Sequence, residues 1–147
     1  MFTKTFEQYR MGDSWRSRGR TITEADLVMF AAFSGDWYPL HTDREWAAQG
    51  PFGQRIAHGM LVLSVATGLM VMDPGIVLAF YGMDRVRFVA PTFIGDTISV
   101  ELAIAALTPK PKGGLVAASS TIRKQSGDAV AISTLKILVA AADEIRR

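Results

Sequence analysis

Ile98, Val100, Leu102 and Ile104 alternate with Thr97, Ser99, Glu101 and Ala103. A period of two predicts a strand buried on one face, because successive side chains of a strand point to opposite sides. Further strands are predicted over Leu115–Lys124 and Ala129–Ala140, on either side of the turn Ser126-Gly127-Asp128. Pro109-Lys110-Pro111-Lys112-Gly113-Gly114 predicts the hairpin connection that precedes them. Upstream, Ile76–Phe80 and Val86–Ala90 are rich in apolar and β-branched residues and read as extended chain. The last strand is largely apolar on both faces over Leu135–Val139. That suits a central place in a sheet or a contact between subunits.

The first half of the chain has a different rhythm. After a predicted strand within residues 14–22, Thr23 followed by Glu24 and Asp26 forms a helix-start pattern. The helix would turn Leu27, Phe30, Ala31 and Phe33 inward and end near Gly35. A loop over Asp36–His41 follows, and Thr42 with Glu45 three residues on predicts a capping box for a short helix reaching Gln49. Beyond the loop Gly50-Pro51-Phe52-Gly53, Ile56–Met72 carries no formal charge, and Asp73-Pro74-Gly75 stops the run. A membrane span needs roughly 20 apolar residues. This run falls short and contains His58, Gly59, Ser64, Thr67 and Gly68, so it predicts a helix buried in a soluble protein. Helices followed by a run of strands give an α+β class. One domain over residues 1–147 is expected, an antiparallel sheet wrapped round one central apolar helix. That helix can be apolar all round only if a sheet or a partner subunit covers each side.

Composition narrows the functions. The chain has 147 residues, 49% hydrophobic and 20% charged, which fits one packed core and excludes a disordered chain. Sixteen Lys plus Arg against fourteen Asp plus Glu leave +2, with no basic run of the kind that marks a nucleic-acid footprint. The absence of cysteine rules out disulfides, thiolate catalysis and zinc sites built on Cys. His41 and His58 are the two histidines, too few for a multi-histidine metal site. No repeat or low-complexity tract is present, and no basic segment leading into an apolar core opens the chain, so a cleaved leader is not expected.

Candidate chemistry gathers in two places. Asp36 and His41 stand five residues apart in the predicted loop, close enough for a carboxyl and an imidazole to converge on one water. An Asp beside Trp37 and Leu40 is placed to act as an acid if those side chains desolvate it. The bland alternative makes Asp36 a loop cap and His41 a buried hydrogen-bonded residue. His58-Gly59 opens the apolar helix, whose free N–H groups and partial positive charge suit a developing oxyanion. Leu63, Ala66 and Met70 share a helical face with Gly59, flanked by Thr67, as core packing or as a pocket wall. Arg85, Arg87, Lys110 and Lys112 read best as solvated surface charge.

Ser34-Gly35-Asp36-Trp37-Tyr38-Pro39-Leu40-His41-Thr42-Asp43, followed by Ile56-Ala57-His58-Gly59-Met60-Leu61, resembles the MaoC-like, R-specific enoyl-CoA hydratases. Val86-Arg87-Phe88-Val89-Ala90-Pro91 and Gly95-Asp96-Thr97 look like the strand and turn that follow in those proteins, so the resemblance spans residues 20–140 in order. It implies a hot-dog fold without a cofactor, at least dimeric and cytoplasmic. The implied activity is reversible addition of water to a trans-2-enoyl-CoA, giving an (R)-3-hydroxyacyl-CoA. By position, Asp36 and His41 become the catalytic pair, the Gly59 N–H the carbonyl donor, and Thr67 and Met70 the border of the acyl chain. His41 would take a proton from water and a protonated Asp36 would supply the α-proton, in an order the sequence leaves open. One departure stands out: many members have Asn two residues after the Asp, where this chain has Tyr38, a bulkier group able to reshape the pocket. The alternatives are a dehydratase for a carrier-bound, branched or dicarboxylic acyl thioester, a hot-dog thioesterase, and a non-catalytic acyl-CoA-binding subunit. Nucleic-acid and membrane partners are not expected.

Overall fold

A computed structural model describes residues 1–145; Arg146 and Arg147, the end of the predicted domain, lie outside the described residues. Two short strands, β1 (Ser14–Arg16) and β2 (Arg20–Thr21), open the sheet. Three helices follow: α1 (Glu24–Ser34), α2 (Pro39–Thr42) and α3 (Arg44–Ala48). The longer α4 (Gly59–Leu69) leads into β3 (Val77–Phe88), β4 (Thr97–Lys110), β5 (Gly113–Lys124) and β6 (Ala129–Ala140). The strands form one antiparallel sheet in the order β1-β4-β5-β6-β3, with β2 also on β4. This is the hot-dog arrangement the resemblance implied.

In β4, Ile98, Val100, Leu102 and Ile104 are all buried, and of the residues between them Ser99 is buried as well. They meet Val116, Ala118 and Ile122 of β5 and Leu135, Ile137 and Val139 of β6 in the core that packs α4 through Leu61, Val62, Val65, Ala66 and Leu69. β6 is paired on both sides, which accounts for its apolar run.

Several sequence expectations shift. Residues 14–22 are two strands rather than one, interrupted at Ser17–Gly19. The two predicted extended segments, Ile76–Phe80 and Val86–Ala90, fall largely in one continuous β3, with Ile76, Val89 and Ala90 outside it. Its register against β6 slips between Asp84 and Arg87, and Arg85 takes a left-handed φ of 54°. Such bulges break the periodicity a sequence reading depends on. Phe33 is 90% exposed rather than inward. Two residues beyond buried Ala31 it lies about 200° round the helix, on the opposite side. The cap of α3 is Asp43, whose carboxylate accepts from the Trp46 N–H at 2.9 Å, rather than Thr42. Thr42 instead donates its hydroxyl to the Trp37 and Tyr38 carbonyls. The buried helix spans Gly59–Leu69, shorter than Ile56–Met72, and Met60, Ser64 and Gly68 form an exposed strip along it. The protomer alone therefore leaves one side of α4 uncovered.

Asp96, in the turn before β4, ties down the loop that returns from β3. Its carboxylate accepts from the Phe93 N–H and from the Gln125 amide, each at 2.8 Å, with the Lys124 ammonium at 3.5 Å. Burial alone would raise its pKa, but these three partners hold it below its ordinary 3.8. The stability it supplies is thus fully present above about pH 4 and lost as pH falls through the depressed folded value. Asp96→Asn is expected to lower unfolding free energy at pH 7 by about 1–3 kcal/mol. The gap from wild type should close in strong acid. Urea titrations at pH 7 and pH 2.5 check this; an equal gap at both would refute the charge-based account.

Candidate active site

The loop between α1 and α2 is built to hold Asp36. Gly35 ends α1 with a left-handed φ of 77°, its N–H returning to Ala31 O, so the chain turns sharply at that residue. The Asp36 N–H then donates to Ser34 Oγ at 3.2 Å, while Asp36 Oδ1 accepts from the Tyr38 N–H at 3.3 Å. Pro39 starts α2, which suits its fixed φ and missing donor. His41 therefore sits on a short helix rather than in a loop.

His41 is half-buried, and its Nδ1 lies 2.7 Å from the Ile56 carbonyl. A carbonyl only accepts, so Nδ1 carries the proton and Nε2 is left with a free lone pair. The segment before α4 is pinned to the Asp96-braced loop by the Ala57 N–H donating to Thr92 O at 2.8 Å.

His58, which the sequence reading left as a helix start, is the residue that joins these parts. It is 2% exposed and occupies the N-cap of α4 without capping it. Its Nε2–H donates instead to the Asp36 carbonyl at 3.0 Å. Its ring is stacked on His41 with centroids 3.9 Å apart and 28° between planes, and Phe30 lies on it at 5.0 Å. Burial pushes the His58 pKa below 6.5; the Asp36 carbonyl bond opposes the shift and the neighbouring His41 adds to it. The scarcity of histidine was the available signal in the sequence: both copies in the chain meet at one point.

Donor atoms of Asp36, His41 and His58 fall within 4.8 Å of one another. A metal ion bound by two imidazoles must lie in both ring planes. Planes only 28° apart in a face-to-face stack do not converge at bonding distance, and each ring already commits one nitrogen to a carbonyl. The cluster fits proton transfer better than chelation.

Gly59 is the first residue of α4, so its N–H is among those the helix leaves free. It borders a cleft of about 270 Å³ lined by His41, Ile56, Met60, Phe88, Pro91 and Thr92 among others. A Cβ at Gly59 would stand 2.6 Å from Phe88 Cζ, so glycine is required for the ring to lie against the helix start. Of the residues proposed from sequence, His41 and Gly59 meet at this cleft, with Asp36 beside His41. The Asp36 carboxyl is exposed in the protomer rather than walled in by Trp37 and Leu40, because Trp37 itself is 54% exposed. Tyr38 is equally exposed, its ring edge-on to His41 at 6.3 Å and to Trp46 at 5.7 Å. Thr67 and Met70 do not line this cleft. The Thr67 hydroxyl donates to Leu63 O one turn back, and Met70 is buried in the core.

Comparison with known proteins agrees with this arrangement. Residues 7–123 match the family model for the MaoC like domain. Protein MaoC of Klebsiella aerogenes is 46% identical over 111 residues, 74% of this chain but 33% of that longer protein. The (R)-specific enoyl-CoA hydratase of Rhodospirillum rubrum is 36% identical over 110 residues, 73% of this chain and 74% of its own length. Among solved structures, the monoamine oxidase regulatory protein from Archaeoglobus fulgius superposes with a TM-score of 0.89 at 36% identity, over 95% of each chain. The chain belongs to the MaoC-like family. Within it, the chain is an enzyme of the hydratase and dehydratase group.

Proposed function

We propose that this enzyme adds water reversibly to a trans-2-enoyl-CoA to give the (R)-3-hydroxyacyl-CoA, using Asp36, His41 and the Gly59 N–H. The observation that carries this reading is the bond from His41 Nδ1–H to Ile56 O, which leaves Nε2 as a free base beside a carboxyl and a helix-terminal N–H. The Gly59 N–H donates to the thioester oxygen, stabilising the charge that develops there as the double bond polarises. His41 Nε2 takes one proton from water while the water oxygen bonds to the β-carbon. The proton taken from water passes through the Asp36–His41 pair to the α-carbon on the same face. The pair is thereby restored, so the net change is one water added and no cofactor is consumed.

The named activity of the R. rubrum relative supports this substrate class. A cytoplasmic homodimer, or a higher oligomer, belongs to the same reading. In support of association, β3 ends the sheet with its outer edge unpaired among the described residues, and Leu78, Phe80, Tyr81 and Phe88 along it are exposed. No helix among the described residues is long and apolar enough to cross a membrane.

A panel of enoyl-thioesters tests the reading. Loss of the conjugated enoyl absorbance with formation of the R product is expected. Release of free thiol instead would move the enzyme to the thioesterases. Binding without any absorbance change, across chain lengths, would leave an acyl-CoA-binding subunit.

A further inference from the structure

His58 does nothing that its position would ordinarily demand. An N-cap is where a short side chain closes on the free N–H groups of the next turn, and histidine is not among the favoured residues. Here the side chain points away from its own helix and back across 22 residues of sequence to the Asp36 carbonyl. The cost is visible: Nδ1 is buried with no hydrogen-bond partner among the described residues, and an unmet buried acceptor is unfavourable. A simple packing role would be filled with less loss by an apolar ring. Two features repay the histidine. Its N–H reaches a carbonyl that an apolar ring could not satisfy, and its face carries the His41 imidazole at 3.9 Å.

These contacts link three parts of the site that come from separate segments. Asp36 follows α1, His41 lies on α2 and Gly59 begins α4. His58 bonds to the backbone of the first, stacks on the ring of the second and is the chain neighbour of the third. We propose that His58 is a positioning residue: as the neutral Nε2–H tautomer it fixes the Asp36 backbone to the α4 N-terminus and supports the stacked His41 ring, setting acid, base and carbonyl donor in one geometry. The inference rests on the acid–base reading of Asp36 and His41 given above.

The tautomer is what makes the arrangement consistent. Were His58 doubly protonated, its charge would stand against His41 whenever His41 held the proton taken from water. A neutral π face below an imidazolium is attractive instead. The titratable groups against His58 are His41 and Asp36, and Phe30 covers another side.

With two histidines in the chain, imidazole ¹⁵N spectra of the intact protein report each one separately. At pH 7, above its lowered pKa, His58 is expected to be neutral as the Nε2–H tautomer that its bond to the Asp36 carbonyl requires. The Nδ1–H tautomer at His58, or a doubly protonated His58 at that pH, would overturn the proposal whether or not the substrate has been identified. Kinetics supply the second arm. His58→Phe, which keeps a ring and loses the donor, and His58→Gln, which keeps a donor and loses the ring, should each lower kcat by about 10–100-fold with little change in KM. His58→Ala should fall at least as far as either. Unchanged kcat in folded His58→Phe and His58→Gln would also overturn it. Variants that fail to fold leave the wild-type spectrum to decide. Failure of the underlying reading is separately recognisable, as full hydration by His41→Gln.

Discussion

Asp36→Asn and His41→Gln are each expected to lower hydration turnover by about 10²–10⁴-fold, the range for loss of a positioned acid or base. The Asp36 carboxyl is exposed and accepts one long bond from the Tyr38 N–H, which an asparagine oxygen can also accept. His41 is half-buried, and its bond to Ile56 O is one contact among many. Thermal unfolding should therefore shift by only a few degrees in either variant, on the order of 1 kcal/mol. In the proposed mechanism acid and base act in one proton circuit, and residues of a unit are non-additive, so the double variant should lose little beyond the worse single one. Steady-state kinetics on the best enoyl-thioester, with circular dichroism as the folding control, checks all three. Near-wild-type turnover by either folded single variant would remove that residue from the mechanism.

Gly59 carries the second large effect, and it separates into two parts. Alanine keeps the N–H but places a methyl 2.6 Å from Phe88 Cζ, so the half-exposed ring must swing away and alter the cleft. Proline removes the N–H as well. The backbone accepts it: Gly59 is the first helical residue, and His58 at φ −56°, ψ 135° has the extended conformation that a residue before proline prefers. Both variants should lose activity in the native background, Gly59→Pro by about 10²–10³-fold, as when one oxyanion donor is withdrawn. The Phe88→Ala background distinguishes the causes. There Gly59→Ala should cost little, whereas Gly59→Pro should still cost about 10²–10³-fold. Equal losses for both in that background would mean that the Gly59 N–H takes no part and that glycine serves only to admit the Phe88 ring.

Two kinds of signal survive in the sequence. Strand periodicity in β4, and the apolar runs of β5 and β6, are local consequences of one-sided or two-sided burial, so they can be read without the fold. The Gly35 stop and the Thr23 start of α1 are equally local, being properties of backbone conformation and capping. The continuous β3 was not legible, because the register slip near Arg85 scrambles the two-residue period. Phe33 misled for a related reason: helical spacing places it near a stripe, but which stripe faces inward is fixed by α4 and the sheet.

The site divides along the same line. The sequence alone determined its side-chain inventory: a cysteine-free chain with two histidines, one of them five residues after an aspartate, the other beside a glycine at the head of an uncharged run. Those are facts about side-chain inventory and near spacing, which need no partner across the fold. The tertiary structure alone decided that the two histidines stack and that each has its tautomer set by a carbonyl 15 or 22 residues away. It also decided that Thr67 and Met70 stand apart from the cleft where His41 and Gly59 meet. Which proton a ring carries depends on what accepts it, and that acceptor belongs to another segment of the folded chain.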